Sequence, residues 1–231
     1  MAHEEPLTGA RLRTPRAAAV AGILFSLLLG LALVLILISA PSDSAAPGAW
    51  LSDPARRATL AVALNLVPFA GIAFLWFIGV VRDRIGPLED RFFASVFLGS
   101  GLLFVAMLFV GAAFAGGLVA DVAAGSAAAV PGPDALALGR QITSLLLHLY
   151  AMRMAAVFAM SAATITLRTR VVSRWIGLLG IAVAVVLLVS VGLTVWVELL
   201  FPAWILLLSV DILRAGWHRS PGAARAATDT A

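Results

Sequence analysis

The chain has no cysteine, and all 16 of its basic side chains are arginine, so lysine is missing as well. Without cysteine there is no disulfide, thiol nucleophile, iron–sulfur ligand or Cys-based zinc site within the chain, and the redox compartment leaves no trace. Without lysine there is no Schiff base, which removes a retinal-type pigment and lysine-dependent covalent catalysis. Charge is scarce, at 12% of 231 residues. The net +4 comes from scattered arginines with no basic stripe and no interleaved aromatics, so nucleic acid is not an expected partner. Catalytic signatures are missing too. The sequence contains no HExxH, GxSxG or phosphate-cradling glycine loop, and no neighbouring acids placed to hold a metal. Of the three histidines, only His148 lies in an apolar stretch, so haem ligated by two histidines would need a second copy of the chain. Met152, Met154 and Met160 read as adaptable packing rather than a copper site. No cofactor and no enzymatic activity are expected.

What is abundant is oil: 62% of residues are hydrophobic and mean hydropathy is +1.05, which is the composition of a membrane protein. About 18 or more apolar residues suffice to cross a hydrocarbon layer of roughly 30 Å. Six runs meet that length, at about 17–39, 59–81, 92–119, 141–167, 175–192 and 195–213. The expected fold is therefore all-α, six transmembrane helices in one bundle over residues 17–213. A short tail, 1–16, precedes it, and a disordered tail, 214–231, follows. The first run is too long for a secretory signal core, although small residues at 44–48 resemble a cleavage site.

Arginine also orients the bundle, because cytoplasmic flanks collect positive charge. Arg11, Arg13, Arg16, Arg82, Arg84, Arg91, Arg168, Arg170, Arg174, Arg214, Arg219 and Arg225 fall on one side, against Arg56, Arg57 and Arg140 on the other. Both termini are thus expected in the cytoplasm, as an even number of spans requires. The connection at 40–57 is rich in turn formers, that at 121–140 reads as irregular, and no loop is large enough for a folded domain. In the connection at 82–91, Gly86 supplies a turn, Pro87 starts the third helix, and Glu89 and Asp90 suit its first turn; a partner-docking role is the weaker reading there. Gly22, Ser26 and Gly30 recur at four-residue steps, as do Ala151, Ala155 and Ala159, and such small residues let helices approach in lipid. Expected partners are membrane lipids, with a homodimer or another membrane protein as a further prospect. No internal repeat of the transporter kind is visible.

Four polar residues interrupt the spans. Counted from the outer end at 1.5 Å per residue, Asn65, His148 and Glu198 all lie roughly 6–10 Å below the boundary. Arg153 lies nearer the centre, where a lone guanidinium costs at least about 2.5–3.5 kcal/mol. Glu198 is the only acid well inside a span, so the expectation is an Arg153–Glu198 ion pair with His148 and Asn65 hydrogen-bonding around it. Helical phase complicates this, since Arg153 projects about 140° from His148 on an ideal helix. Pro68 near Asn65, and Pro202 near Glu198, mark helices with freed backbone carbonyls. The set reads as either a structural clamp or a shallow outer-leaflet pocket for a small or lipid-like ligand. One acid, one arginine, one histidine and one amide are too few for a relay across the bilayer.

The stretches RMAAVFAMSAATITLRTR at 153–170, VSRWIGLLG at 172–180 and FPAWILLLSVDIL at 201–213 resemble a group of uncharacterised multi-pass membrane proteins of actinobacteria and similar high-GC bacteria. That resemblance implies a six-helix protein of a bacterial cytoplasmic membrane and carries over no activity. The functional expectation is a non-enzymatic accessory or sensor-like component. A small secondary transporter or proton-coupled carrier is the alternative.

Overall fold

A computed structural model describes residues 14–39, 53–85, 91–124, 133–169, 172–190 and 195–218, and these residues are almost entirely helical. In chain order the helices are α1 (Thr14–Ser39), α2 (Pro54–Ile85), α3 (Arg91–Ala124), α4 (Pro133–Ser144), α5 (Met152–Thr169), α6 (Arg174–Val189) and α7 (Leu200–His218). A π-helical stretch, Leu145–Ala151, joins α4 to α5 without a break, and a 3-10 turn, Val195–Leu199, leads into α7. No strand occurs among the described residues.

Five helical segments are long and apolar enough to cross a membrane: Ala17–Ser39, Pro54–Arg82, Phe92–Asp121, Ala137–Arg168 and Trp196–Arg214. The expected fifth run forms α6, which is apolar but only 16 residues long. Large apolar side chains face outward over much of the surface, including Leu24, Phe69, Trp76, Leu102, Trp175 and Val189. A protein with no lipid around it would not expose such a belt.

With the α4–α5 rod counted as one helix, successive helices run antiparallel. Along α3 and the α4–α5 rod, Leu118 meets Gly139, Gly111 meets Leu147, Gly101 meets Phe158 and Phe93 meets Arg168, so numbers rise on one helix as they fall on the other. The same holds for α6 and α7, where Gly180 receives the Trp204 ring and Ser173 meets Asp211. The bundle therefore has a terminal end, where α1 begins and α7 ends, and an opposite end, where α4 begins. Close approach is purchased with small residues: a side chain at Gly22 would strike Ser209 and Phe77, and Ala151, Ala155 and Ala159 are fully buried. Gly22 and Ser26 are thus used inside the bundle, while Gly30 has open space beside it.

Phe25, Phe74, Phe104, Phe158 and Phe201 come from five different helical segments, all fully buried, and form one layer with ring centroids 4.4–6.3 Å apart in the contacting pairs. Most of these contacts are tilted or edge-to-face, the arrangement that the ring quadrupoles favour. Phe77 and Phe97 extend the layer toward the terminal end.

Three expectations change, the first being that α7 stays helical through His218, so residues 214–218 of the expected disordered tail belong to the helix. The stretch at 121–140 is not irregular throughout: α4 begins at Pro133, whose ring suits a first helical position, with Asp134 in the first turn at the positive dipole end. Pro202 does not kink a helix, because it stands in the first turn of α7, where its missing N–H has no helical partner to lose. The turn features expected of Gly86, Pro87, Glu89 and Asp90 lie outside the described residues.

Candidate functional site

His148 and Glu198 meet. The Nδ1 of His148 lies 2.5 Å from Oε1 of Glu198, which ties the α4–α5 rod to the start of α7. Glu198 is the only charged residue among the buried described ones, at 6% exposure. The two partners share a structural peculiarity. His148 sits at the middle of the π-helical stretch and Glu198 in the 3-10 turn, and these are the only helical segments of non-α geometry among the described residues. A π-helical stretch widens the rod and changes the phase at which side chains leave it, and such segments recur at functional sites. On the neighbouring turn Leu147 fills the space left by the missing side chain of Gly111, so the rod stays closely packed against α3.

Arg153 does not pair with Glu198. Among the described residues no ion pair joins them, and the acid's near oxygen belongs to His148. Half-buried, Arg153 follows a flank of α5 that continues through Val157, Met160 and Thr164, all half-buried at helical spacing, whereas the buried face of that helix runs through Met152, Ala155, Ala159 and Ala163. The expectation ranked charge above geometry, and α5 turns the guanidinium away from the core. Asn65 is not part of the site either. It is exposed, its Nδ2 donates to the carbonyl of Ala61 at 2.8 Å, and it shares the outward face of α2 with Phe69, Ile72 and Trp76. Pro68 faces outward beside it, so the pocket expected between the two prolines does not form.

The pair stands between two cavities. One is a groove of about 160 Å³, roomy enough for a benzene-sized body and open to the bundle surface. Its α1–α3 walls are aliphatic, with Ile36, Leu60, Leu64 and Leu118, while Arg140, Thr143, Ser144 and His148 line the other wall from the α4 side. The second is a cavity of about 20 Å³, enclosed by Leu29, Leu33, Val67, Leu108 and Met152 with His148 and Glu198. That is space for about one water. Ile36, Leu64, Leu147 and His148 border both. Leu29, Leu108 and Glu198 lie one turn from Phe25, Phe104 and Phe201, so the aromatic layer forms the floor of the inner cavity.

Polar atoms left unmatched mark the same place. Three buried side-chain atoms have no hydrogen-bond partner among the described residues: Thr143 Oγ1, Glu198 Oε2 and Ser209 Oγ. Two of the three border these cavities. An unmatched buried hydroxyl costs about 1–3 kcal/mol and an unmatched carboxylate oxygen more. Arg140 adds a half-buried guanidinium to the groove and makes no ion pair among the described residues. Sequence reasoning passed over Arg140 and Thr143, although with Ser144, Leu147 and His148 they follow the three- and four-residue spacing of one helix face. It also missed the phenylalanine layer, because its members come from separate spans.

Elsewhere, Ser209 aside, several buried hydroxyls are satisfied locally. Ser26, Ser100, Ser161 and Thr164 donate to carbonyls one turn back, the usual accommodation of hydroxyls in lipid-facing helices. Among the described residues no three His, Asp or Glu side chains gather closely enough to hold a metal. No family model, curated protein or solved structure matches the chain.

Proposed function

We propose that this chain is a six-span protein of a bacterial cytoplasmic membrane, with both termini in the cytoplasm, acting as a non-enzymatic sensor-like or accessory component. Its ligand site is the groove between α1, α2, α3 and the α4–α5 rod. The observation that carries the reading is the placement of the His148–Glu198 pair on the two non-α segments, at the inner end of a groove with one polar and one aliphatic wall.

Support for six spans comes from the α6–α7 hairpin. Ser173 donates from both its backbone N–H and its hydroxyl toward the Asp211 carboxylate, and Trp204 donates to the Ile176 carbonyl at 3.0 Å, so α6 runs alongside a helix that is itself long enough to cross. At 1.5 Å per residue, a 16-residue helix reaches about 24 Å, a modest mismatch with the hydrocarbon layer that a bilayer can accommodate by local thinning. Support for the orientation comes from the arginine count, twelve against three in the sequence: among the described residues Arg16, Arg82, Arg91, Arg168, Arg174 and Arg214 lie toward the terminal end and Arg56, Arg57 and Arg140 toward the groove end, which makes the groove an outer-leaflet feature.

The groove suits a small or lipid-like ligand that is apolar on one side and accepts hydrogen bonds on the other. Arg140 and Thr143 offer donors with no partner among the described residues, and the aliphatic wall holds a ring or a short length of acyl chain. Bilayer lipids surround the exposed apolar belt, and a second copy or another membrane protein is the natural macromolecular partner. The test is binding of a spin-labelled fatty acid to the protein in nanodiscs. Immobilised label that is released by Arg140→Gln and by Ala115→Trp supports the groove as the site. Equal immobilisation in both variants overturns it.

A second reading, a small proton-coupled carrier, is favoured by one observation: the unmatched Oε2 of Glu198 beside a histidine. Against it stands the phenylalanine layer, which closes the terminal side of the cavity in this conformation. Solute flux in proteoliposomes that follows a proton gradient and vanishes in Glu198→Gln would replace the sensor reading with the carrier.

A further inference from the structure

The pair has a chemistry that does not depend on what occupies the groove. Glu198 is more than nine-tenths buried, has one oxygen against His148 and the other without a partner, and faces a cavity whose remaining lining is aliphatic or Met152. Among the described residues no other ionisable side chain faces it from any packed element, and α6, which also packs on the 3-10 turn, carries only Arg174, at the terminal end. From α1 come Leu29, Ala32, Leu33 and Ile36; from α2, Leu64 and Val67; from α3, Leu108 and Ala112. On the α4–α5 rod only His148 borders this cavity, with Arg140 out in the groove and Arg153 on the flank of α5. On α7 the next acid is Asp211, at the terminal end and bonded to Ser173. An anionic carboxylate in such surroundings is expensive unless its charge is neutralised within hydrogen-bond reach.

Among the described residues His148 is the only group that can do this, and it is also the only polar residue bordering both cavities. Its side chain is 37% exposed while that of Glu198 is 8% exposed, so the imidazole reaches outside and the carboxylate does not. On the other side, Phe25, Phe104 and Phe201 close the floor, and no ionisable side chain is buried beyond them among the described residues. Access is therefore one-sided.

We infer that His148 and Glu198 form a proton-binding site that is loaded and emptied only from the groove, with the imidazole as the relay. The starting state has Nδ1–H donating to the Glu198 carboxylate and a bare Nε2. A hydronium in the groove gives its proton to Nε2, forming an N–H bond there and leaving water. The proton on Nδ1 then moves to Oε1: that N–H bond breaks, an O–H bond forms, and its electron pair stays on Nδ1. The outcome is a neutral histidine protonated on Nε2, a neutral Glu198 and the net uptake of one proton. Uptake also changes the groove, because a bare Nε2 accepts a hydrogen bond and a protonated one donates it. The site thus converts acidity at the groove end into a change of donor pattern on the groove wall.

The test uses the full chain in detergent and follows the carboxylic-acid C=O stretch by time-resolved infrared after a pH jump from 9 to 5. The Glu198 signal is defined as the band that Glu198→Gln removes. The expected result is one such band, forming at least tenfold more slowly in Ala115→Trp, which fills the groove, with the final amplitude unchanged. Ser144→Trp, at the exposed rim, gives the same slowing if the Ala115 variant does not fold. His148→Phe removes the relay and slows the band further. The inference is overturned if no band depends on Glu198, or if filling the groove leaves its rate unchanged. Because the readout is a proton and not an amphiphile, failure of fatty-acid binding would leave this result standing.

Discussion

The two halves of the bundle solve the packing problem in opposite ways. Toward the terminal end, Phe25, Phe74, Phe104, Phe158 and Phe201 pack between the helices, hydroxyls such as that of Ser161 bond within their own helices, Ser209 being the exception, and α6 is tied to α7 by Ser173 and Asp211. Toward the other end the helices part around two cavities, two segments abandon α geometry, and buried polar atoms go unmatched. Lipid gives helices no hydrophobic reason to associate, so the filled half supplies the van der Waals contact that holds the bundle. The open half can then carry polar groups that add little to stability. Two of the three unmatched groups border the cavities, which points to function there, since such groups weaken the fold wherever they stand.

That contrast predicts a ranking of mutational effects. Phe74→Ala, in the middle of the aromatic layer, should cost the most, about 3–5 kcal/mol by the rule for large buried aromatics, measured by reversible unfolding in mixed micelles. If it costs no more than a substitution in the groove, the division of labour is wrong. His148→Ala should cost less, about 1–3 kcal/mol, because it leaves the buried Glu198 with neither oxygen bonded. The double change His148→Leu with Glu198→Leu should recover much of that loss, since replacing both partners removes the unmatched group along with the bond. A double variant as unstable as the sum of the two singles would mean that the pair does not interact.

Smaller effects sharpen the same picture. Thr143→Val replaces an unmatched hydroxyl with a methyl group of similar shape, so stability should hold or rise slightly while ligand binding in the groove weakens. Arg153→Leu combined with Glu198→Gln should be additive to within about 0.3–0.5 kcal/mol, as for residues that share no partner. Coupling of 1 kcal/mol or more, by the scale for residues in contact, would restore the ion pair that the structure lacks.

Much of this could be read from the chain. Apolar run length gave six spans, of which five are helices long and apolar enough to cross a membrane and the remaining one is the shorter α6, and a depth count put His148 and Glu198 at one level, which is where they meet. Depth is one coordinate only. Asn65 has the same depth, but α2 turns it outward with Phe69 and Trp76, and the sequence offered a clue in those bulky residues recurring on its own face. Arg153 was misassigned because charge was ranked above helical phase, which on an ideal helix already set it about 140° from His148; the π-helical stretch between them carries no sequence signal of its own. The cavities were illegible for a plainer reason: a void is a property of several helices at once, and no local pattern encodes it.

The most direct check is a solid-state NMR distance between a labelled His148 Nδ1 and the labelled side-chain carboxyl of Glu198, with the protein in lipid bilayers. Hydrogen-bonding proximity, seen as rapid dipolar dephasing between the two, is the predicted result. No dephasing from His148, together with strong dephasing of the Glu198 carboxyl by the Arg153 guanidinium, would contradict it.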